Sequence, residues 1–78
     1  MLNTFASLQH INQFDFQSAW EILSDNLRLY PECYESKAAF IASADEICNS
    51  FGEDPRLSTE DNEAIAAKVW DAVIDGIN

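Results

Sequence analysis

Basic residues are scarce in this chain: four Lys and Arg stand against 14 Asp and Glu among 78 residues, a formal charge of −10. So acidic a body repels nucleic acid and anionic lipid, which disfavours direct binding to either. No stretch approaches the roughly 20 apolar residues that span a bilayer, unbroken runs being short pieces such as Ala72-Val73-Ile74. A membrane role is not expected. No basic residue precedes Arg28 and the N-terminus has no continuous apolar run, so both parts of a secretory signal are missing and the cytoplasm is the predicted site of action. Cysteine is limited to Cys33 and Cys48, without CxxC spacing and with His10 as the one histidine, which leaves neither a disulfide framework nor a zinc set. Both read as reduced thiols, Cys48 as core filler.

Apolar material, by contrast, is ample. Hydrophobic residues make up 47% of the chain and nine residues are Phe, Tyr or Trp, too many for a disordered acidic linker. A mass of 8.8 kDa gives roughly 4,800 Å² of folded surface against about 12,800 Å² unfolded, enough burial for one small core. Residues 1–78 are thus expected to form a single acidic domain.

Two glycines and two prolines divide the sequence into helical segments, and strand alternation is nowhere convincing. A short N-terminal helix is expected from Thr4 to Ile11, with Phe5, Leu8 and Ile11 at helical spacing after an Asn3 cap. A second segment runs from near Asp15 to Leu29 or Tyr30, its stripe formed by Phe16, Ala19, Trp20, Leu23 and Leu27 and flanked by Ile22. Pro31 stops it. A third covers Tyr34 to Phe51, with Phe40, Ala44, Ile47 and Phe51 on one line, Ala38, Ile41 and Cys48 beside it, and Gly52 as its C-terminal stop. After a turn at Glu53 to Leu57, Ser58 reads as the N-cap of a fourth helix with an inward stripe of Ile65, Val69, Trp70 and Val73, closed by Gly76 and Ile77. The predicted fold is all-α: a small bundle of three main helices plus the short N-terminal one.

The acids then fall into two groups. Glu21 and Asp25, four residues apart, share a face away from the apolar stripe, and Glu32 and Glu35 extend the charge past Pro31, with Arg28 as local counter-charge. The fourth helix carries Glu60, Asp61, Glu63, Asp71 and Asp75 along about 23 Å, interrupted on that face by Lys68. Gathered on half of the surface, 14 acids would give one charge per roughly 170 Å², against roughly 110 Å² for a B-DNA cylinder. Such a face would stand in for phosphates in the nucleic-acid groove of a basic protein. The plain alternative is a solvated face that confers solubility.

Phe14-Asp15 followed by Ser18-Ala19-Trp20-Glu21-Ile22-Leu23-Ser24-Asp25-Asn26-Leu27-Arg28 resembles a stretch of the Ocr-type phage anti-restriction proteins, and Ala38 to Asp45 is weakly similar to their next, Ala-rich helix. The match is specific over about eleven residues. Members of that family are small acidic helical dimers that imitate DNA and block restriction enzymes. The resemblance implies that Glu21, Asp25, Glu32 and Glu35 act as phosphate-like groups and that Trp20, Leu23 and Leu27 are core. This chain departs from the pattern in being shorter and in lacking a long acidic C-terminal tail. Its composition is also similar to that of small phage anti-CRISPR proteins.

Other chemistries find little footing. No local motif assembles Cys33 or Cys48, His10 and an acid into a nucleophilic site, and Asp45 and Glu46, as helical neighbours, point apart. The stretch from Asp54 to Ala64 has Arg56 and Ser58 where a calcium loop needs ligands, and no Gly. A phosphopantetheine-type Asp-Ser-Leu is missing, so an acyl carrier is not expected. No cofactor or metal and no enzymatic activity are expected. The sequence predicts an inhibitor of phage or mobile-element type whose acidic face meets a basic nucleic-acid-binding protein, with restriction and CRISPR complexes as target classes. The main alternative is an acidic protein-binding module such as an immunity protein, antitoxin or assembly factor, binding through apolar anchors; a homodimeric helical domain is the third.

Overall fold

A computed structural model of the chain describes residues 11–49 and 57–76. They form three α-helices: α1 (Gln13–Leu29), α2 (Lys37–Asn49) and α3 (Thr59–Val73), with a single 3-10 turn at Pro31–Cys33 between the first two. There is no strand among the described residues, and the all-α expectation holds. No described helix is long and apolar enough to cross a membrane. The expected N-terminal helix from Thr4, and the expected roles of His10, Phe51, Gly52, Pro55 and Ile77, fall on residues outside the described set.

Local capping chemistry fixes where the helices start. Asn12 accepts a bond from the Phe14 backbone N–H at 2.7 Å, so α1 begins at Gln13, two residues before the expected start. The larger correction is to the third segment. Instead of continuing from Tyr34, the backbone leaves the 3-10 turn extended at Tyr34 (φ −124°, ψ 101°), and Ser36 starts α2 by accepting from the Ala39 N–H through Oγ at 3.2 Å. Pro31, at the N-terminal end of the turn, is pre-set for such a tight start. Ser58 caps α3 as expected, accepting from the Asp61 N–H at 3.1 Å. Beyond the end of α3, Gly76 takes a left-handed φ of 70°, a conformation open to glycine at little cost.

The core is built from all three helices: Ala19, Leu23 and Leu27 of α1, Phe40, Ala44 and Ile47 of α2, and Ile65, Ala66 and Val69 of α3. Fully burying each large member contributes about 1.5–3 kcal/mol. Phe16, Trp20, Ile22, Ile41, Cys48, Trp70 and Val73 pack against this cluster while staying half-buried, and Ala38, expected beside the core line, is exposed. Overall extents of 34 × 32 × 17 Å explain the partial burial. With only three described helices, each packs on its neighbours and keeps a solvent face.

Helix α3 packs on both α1 and α2, which meet each other less. Lys37, at the start of α2, bonds Asp71 near the end of α3, and Asp45, later in α2, bonds Asn62 near the start of α3. Those two helices are therefore antiparallel. Since α1 ends where α2 begins, the C-termini of α1 and α3 lie at one end of the molecule with the N-terminus of α2.

Candidate functional site

Helix α1 turns its apolar stripe to the core because Ala19, Leu23 and Leu27 recur every four residues, which leaves the opposite face to Glu21 and Asp25. Both carboxylates are exposed, and Glu32 and Glu35 continue the exposed series around the 3-10 turn. Between Gln13 and Ser36 there are five acids and one cation, Arg28, itself exposed. Glu21 and Asp25 are separated by about 6 Å along the helix axis, within a factor of two of the 3.4 Å axial phosphate spacing of one DNA strand. This surface has the composition and exposure that the sequence predicts.

Helix α3 does not present its acids in the same way. Glu60 and Asp75 are exposed at its two ends, but Asp61, Glu63 and Asp71 are half-buried because α3 lies against both other helices. Asp71 is occupied: its carboxylate pairs with Lys37 Nζ at 2.8 Å. Helix α3 has no basic residue in its last turn, so Lys37 supplies from α2 the cation that a helix C-terminus favours. The nine candidate acids thus separate into an exposed set on α1 and the turn (Glu21, Asp25, Glu32, Glu35), an exposed pair at the ends of α3 (Glu60, Asp75), and a half-buried set along it (Asp61, Glu63, Asp71).

A polar bridge lies deeper between α2 and α3. Asn62 is almost fully buried, and its amide donates to Asp45 Oδ1 at 3.1 Å while Asn49 donates to Oδ2 at 3.3 Å. Asp45 is thereby committed to holding two helices together. Glu46, its neighbour, is exposed and adds to the negative surface; sequence spacing leaves it outside both acidic groups because its helix carries no second exposed acid at i±4.

An aromatic ladder joins the helices at the Lys37 end. The Tyr34 hydroxyl bonds Asn26 Oδ1, the Tyr34 ring meets Phe40 edge-on at 5.1 Å, and Phe40 lies 6.1 Å from the Trp70 ring. Burial raises the Tyr34 phenol, with smaller contributions from Cys33 and Glu46. Trp20 stacks on Phe16 at 5.9 Å. Burial also pushes the Cys48 thiol up to about 11, with the Asp45 charge adding to it, so Cys48 is a weakly reactive packed thiol, whereas Cys33 is exposed. Ser24 Oγ is buried without a hydrogen-bond partner. Among the described residues no three His, Cys, Asp or Glu side chains converge as a metal site.

Compared with protein-family models, curated proteins and solved structures, the chain matches none.

Proposed function

We propose that this protein is an acidic helical inhibitor that binds a basic, nucleic-acid-handling protein and competes with nucleic acid for its groove. One observation carries the reading: Glu21, Asp25, Glu32 and Glu35 are all exposed along a single stretch of chain that holds Arg28 as its only cation. Ordinary solvent-facing helices mix both signs for i,i+4 pairing, whereas this stretch sets one cation, Arg28, against five acids. The resemblance of Ser18 to Arg28 to the Ocr-type anti-restriction proteins supports the same reading and points to restriction or CRISPR complexes as targets. Carboxylates would meet Lys and Arg of the target, giving fast association that weakens with salt.

The test is charge reversal read out as function. In bacteria carrying a restriction or a CRISPR system, expression of the chain is expected to protect incoming unmodified DNA. Glu21→Lys, Asp25→Lys, Glu32→Lys and Glu35→Lys together are expected to lower that protection by about a hundredfold or more. Undiminished protection by the folded quadruple variant contradicts the reading.

A second reading, an immunity-, antitoxin- or assembly-type binding module, is favoured by the exposed apolar side chains Phe14, Leu29, Tyr30 and Ile74. Binding that persists in high salt separates it from the first.

A further inference from the structure

Among the described residues, three of the four exposed large apolar side chains are at the same end of the molecule. Leu29 (67% exposed) ends the last turn of α1 and Tyr30 (50%) caps it, and Ile74 (45%) caps α3. The ladder Asn26–Tyr34–Phe40–Trp70 and the Lys37–Asp71 pair bring those two helix ends together. Glu32, Glu35 and Asp75 are exposed on the same end. The C-termini of α1 and α3 lie there beside the N-terminus of α2; Arg28 stands in the last turn of α1 and Lys37 is held by Asp71, so the three exposed acids outnumber the one exposed cation, Arg28. Exposed apolar side chains and acids at one end of a molecule have the composition of a protein-binding patch.

We propose that this end is a docking site for a cationic amphipathic segment, one that presents leucine-like side chains to Leu29, Tyr30 and Ile74 and Lys or Arg to Glu32, Glu35 and Asp75. Charge decides the occupant. A second copy brought to this end would set the three carboxylates against their own copies, each chain carrying −10; a cationic segment turns the same groups into attractions. The proposal rests on the reading of the chain as a binder of basic proteins and adds where, and with what apolar chemistry, it grips.

Titration calorimetry of the full chain with two synthetic probes tests it: a Leu/Lys peptide of about 18 residues with Leu at i, i+3, i+4 spacing, and a Gly/Lys peptide of equal charge. The Leu/Lys peptide is expected to bind at least about tenfold more tightly, and Leu29→Ser with Ile74→Ser to remove that advantage while leaving Gly/Lys binding unchanged. Phe14→Ser, an equally exposed residue on the opposite end, is expected to change neither. Because all three substitutions are on the surface, circular dichroism of the variants is expected to match the parent. Equal affinity for the two peptides, or an equal loss with Phe14→Ser, overturns the docking site but leaves the acidic-surface reading standing. Failure of both peptides to bind at about 0.05 M salt overturns both. A parent dimer in light scattering that Leu29→Ser with Ile74→Ser converts to monomer assigns the end to a second copy and also overturns the proposal.

Discussion

Helices α1 and α3 both carry acids at helical spacing, yet they use them differently. On α1, Glu21 and Asp25 face solvent because they lie opposite the Ala19, Leu23 and Leu27 stripe, and Glu32 and Glu35 prolong that surface. On α3, packed on two sides, Asp71 is drawn into a pair with Lys37, and Asp61 and Glu63 are half-buried. A carboxylate's availability is thus set by how closely the neighbouring helices pack around it as well as by its spacing along the chain.

The comparison breaks most severely if the junction of the helices is removed. Phe40 is fully buried and touches both the Tyr34 and the Trp70 rings. Phe40→Ala is expected to cost about 3–5 kcal/mol, against roughly 4–12 kcal/mol for a chain of this length. Urea denaturation should then show a strongly lowered midpoint relative to the parent. Next in size is the buried bridge: Asn62→Ala leaves Asp45 without its cross-helix donor and is expected to cost about 1–3 kcal/mol by the same measurement.

A matched charge reversal sharpens the contrast directly. Asp71→Lys sets a second cation against Lys37 and is expected to lower stability by about 1 kcal/mol, since the pair it removes is partly exposed and its own contribution is small. Glu21→Lys, on the open face, is expected to stay within about 0.5 kcal/mol. Equal losses at the two positions would erase the difference between the helices.

The smallest expected effect concerns the thiols. Cys33 is expected to react with a disulfide reagent at once and Cys48 far more slowly. Because the folded Cys48 thiol ionises near 11 rather than at its ordinary 9.0, the unfolded chain binds fewer protons between those values. Stability should therefore fall as pH rises from about 9 to about 11, and Cys48→Ala should flatten that part of a pH-dependent denaturation series.

The core faces were legible in the sequence because apolar periodicity reports them: Ala19, Leu23, Leu27, Phe40, Ala44, Ile47, Ile65 and Val69 are all buried as their spacing requires. Helix starts were less so. Asn12 and Ser36 carry a capping signal, but the apolar pattern runs through Tyr34 and masks the extended residues before α2. The acids of α1 were legible for the same reason as its core, being opposite a single stripe. Those of α3 were not, because Lys37 is 34 residues from Asp71 and no local pattern announces that pair. Asn62 looked like an ordinary polar residue of a first turn, and its burial beneath Asp45 depends on the antiparallel packing of α2 on α3.

The central claim, that the open acidic surface of α1 and the following turn occupies a basic protein's nucleic-acid groove, is tested most directly by competition. Tagged protein would be used to capture partners from bacterial lysate, with and without excess double-stranded DNA, and the retained proteins identified by mass spectrometry. The account predicts a restriction, CRISPR or other DNA-binding complex that DNA displaces, and that the quadruple reversal of Glu21, Asp25, Glu32 and Glu35 no longer retains. A single partner held equally well with or without DNA, and by the reversed variant, would contradict it.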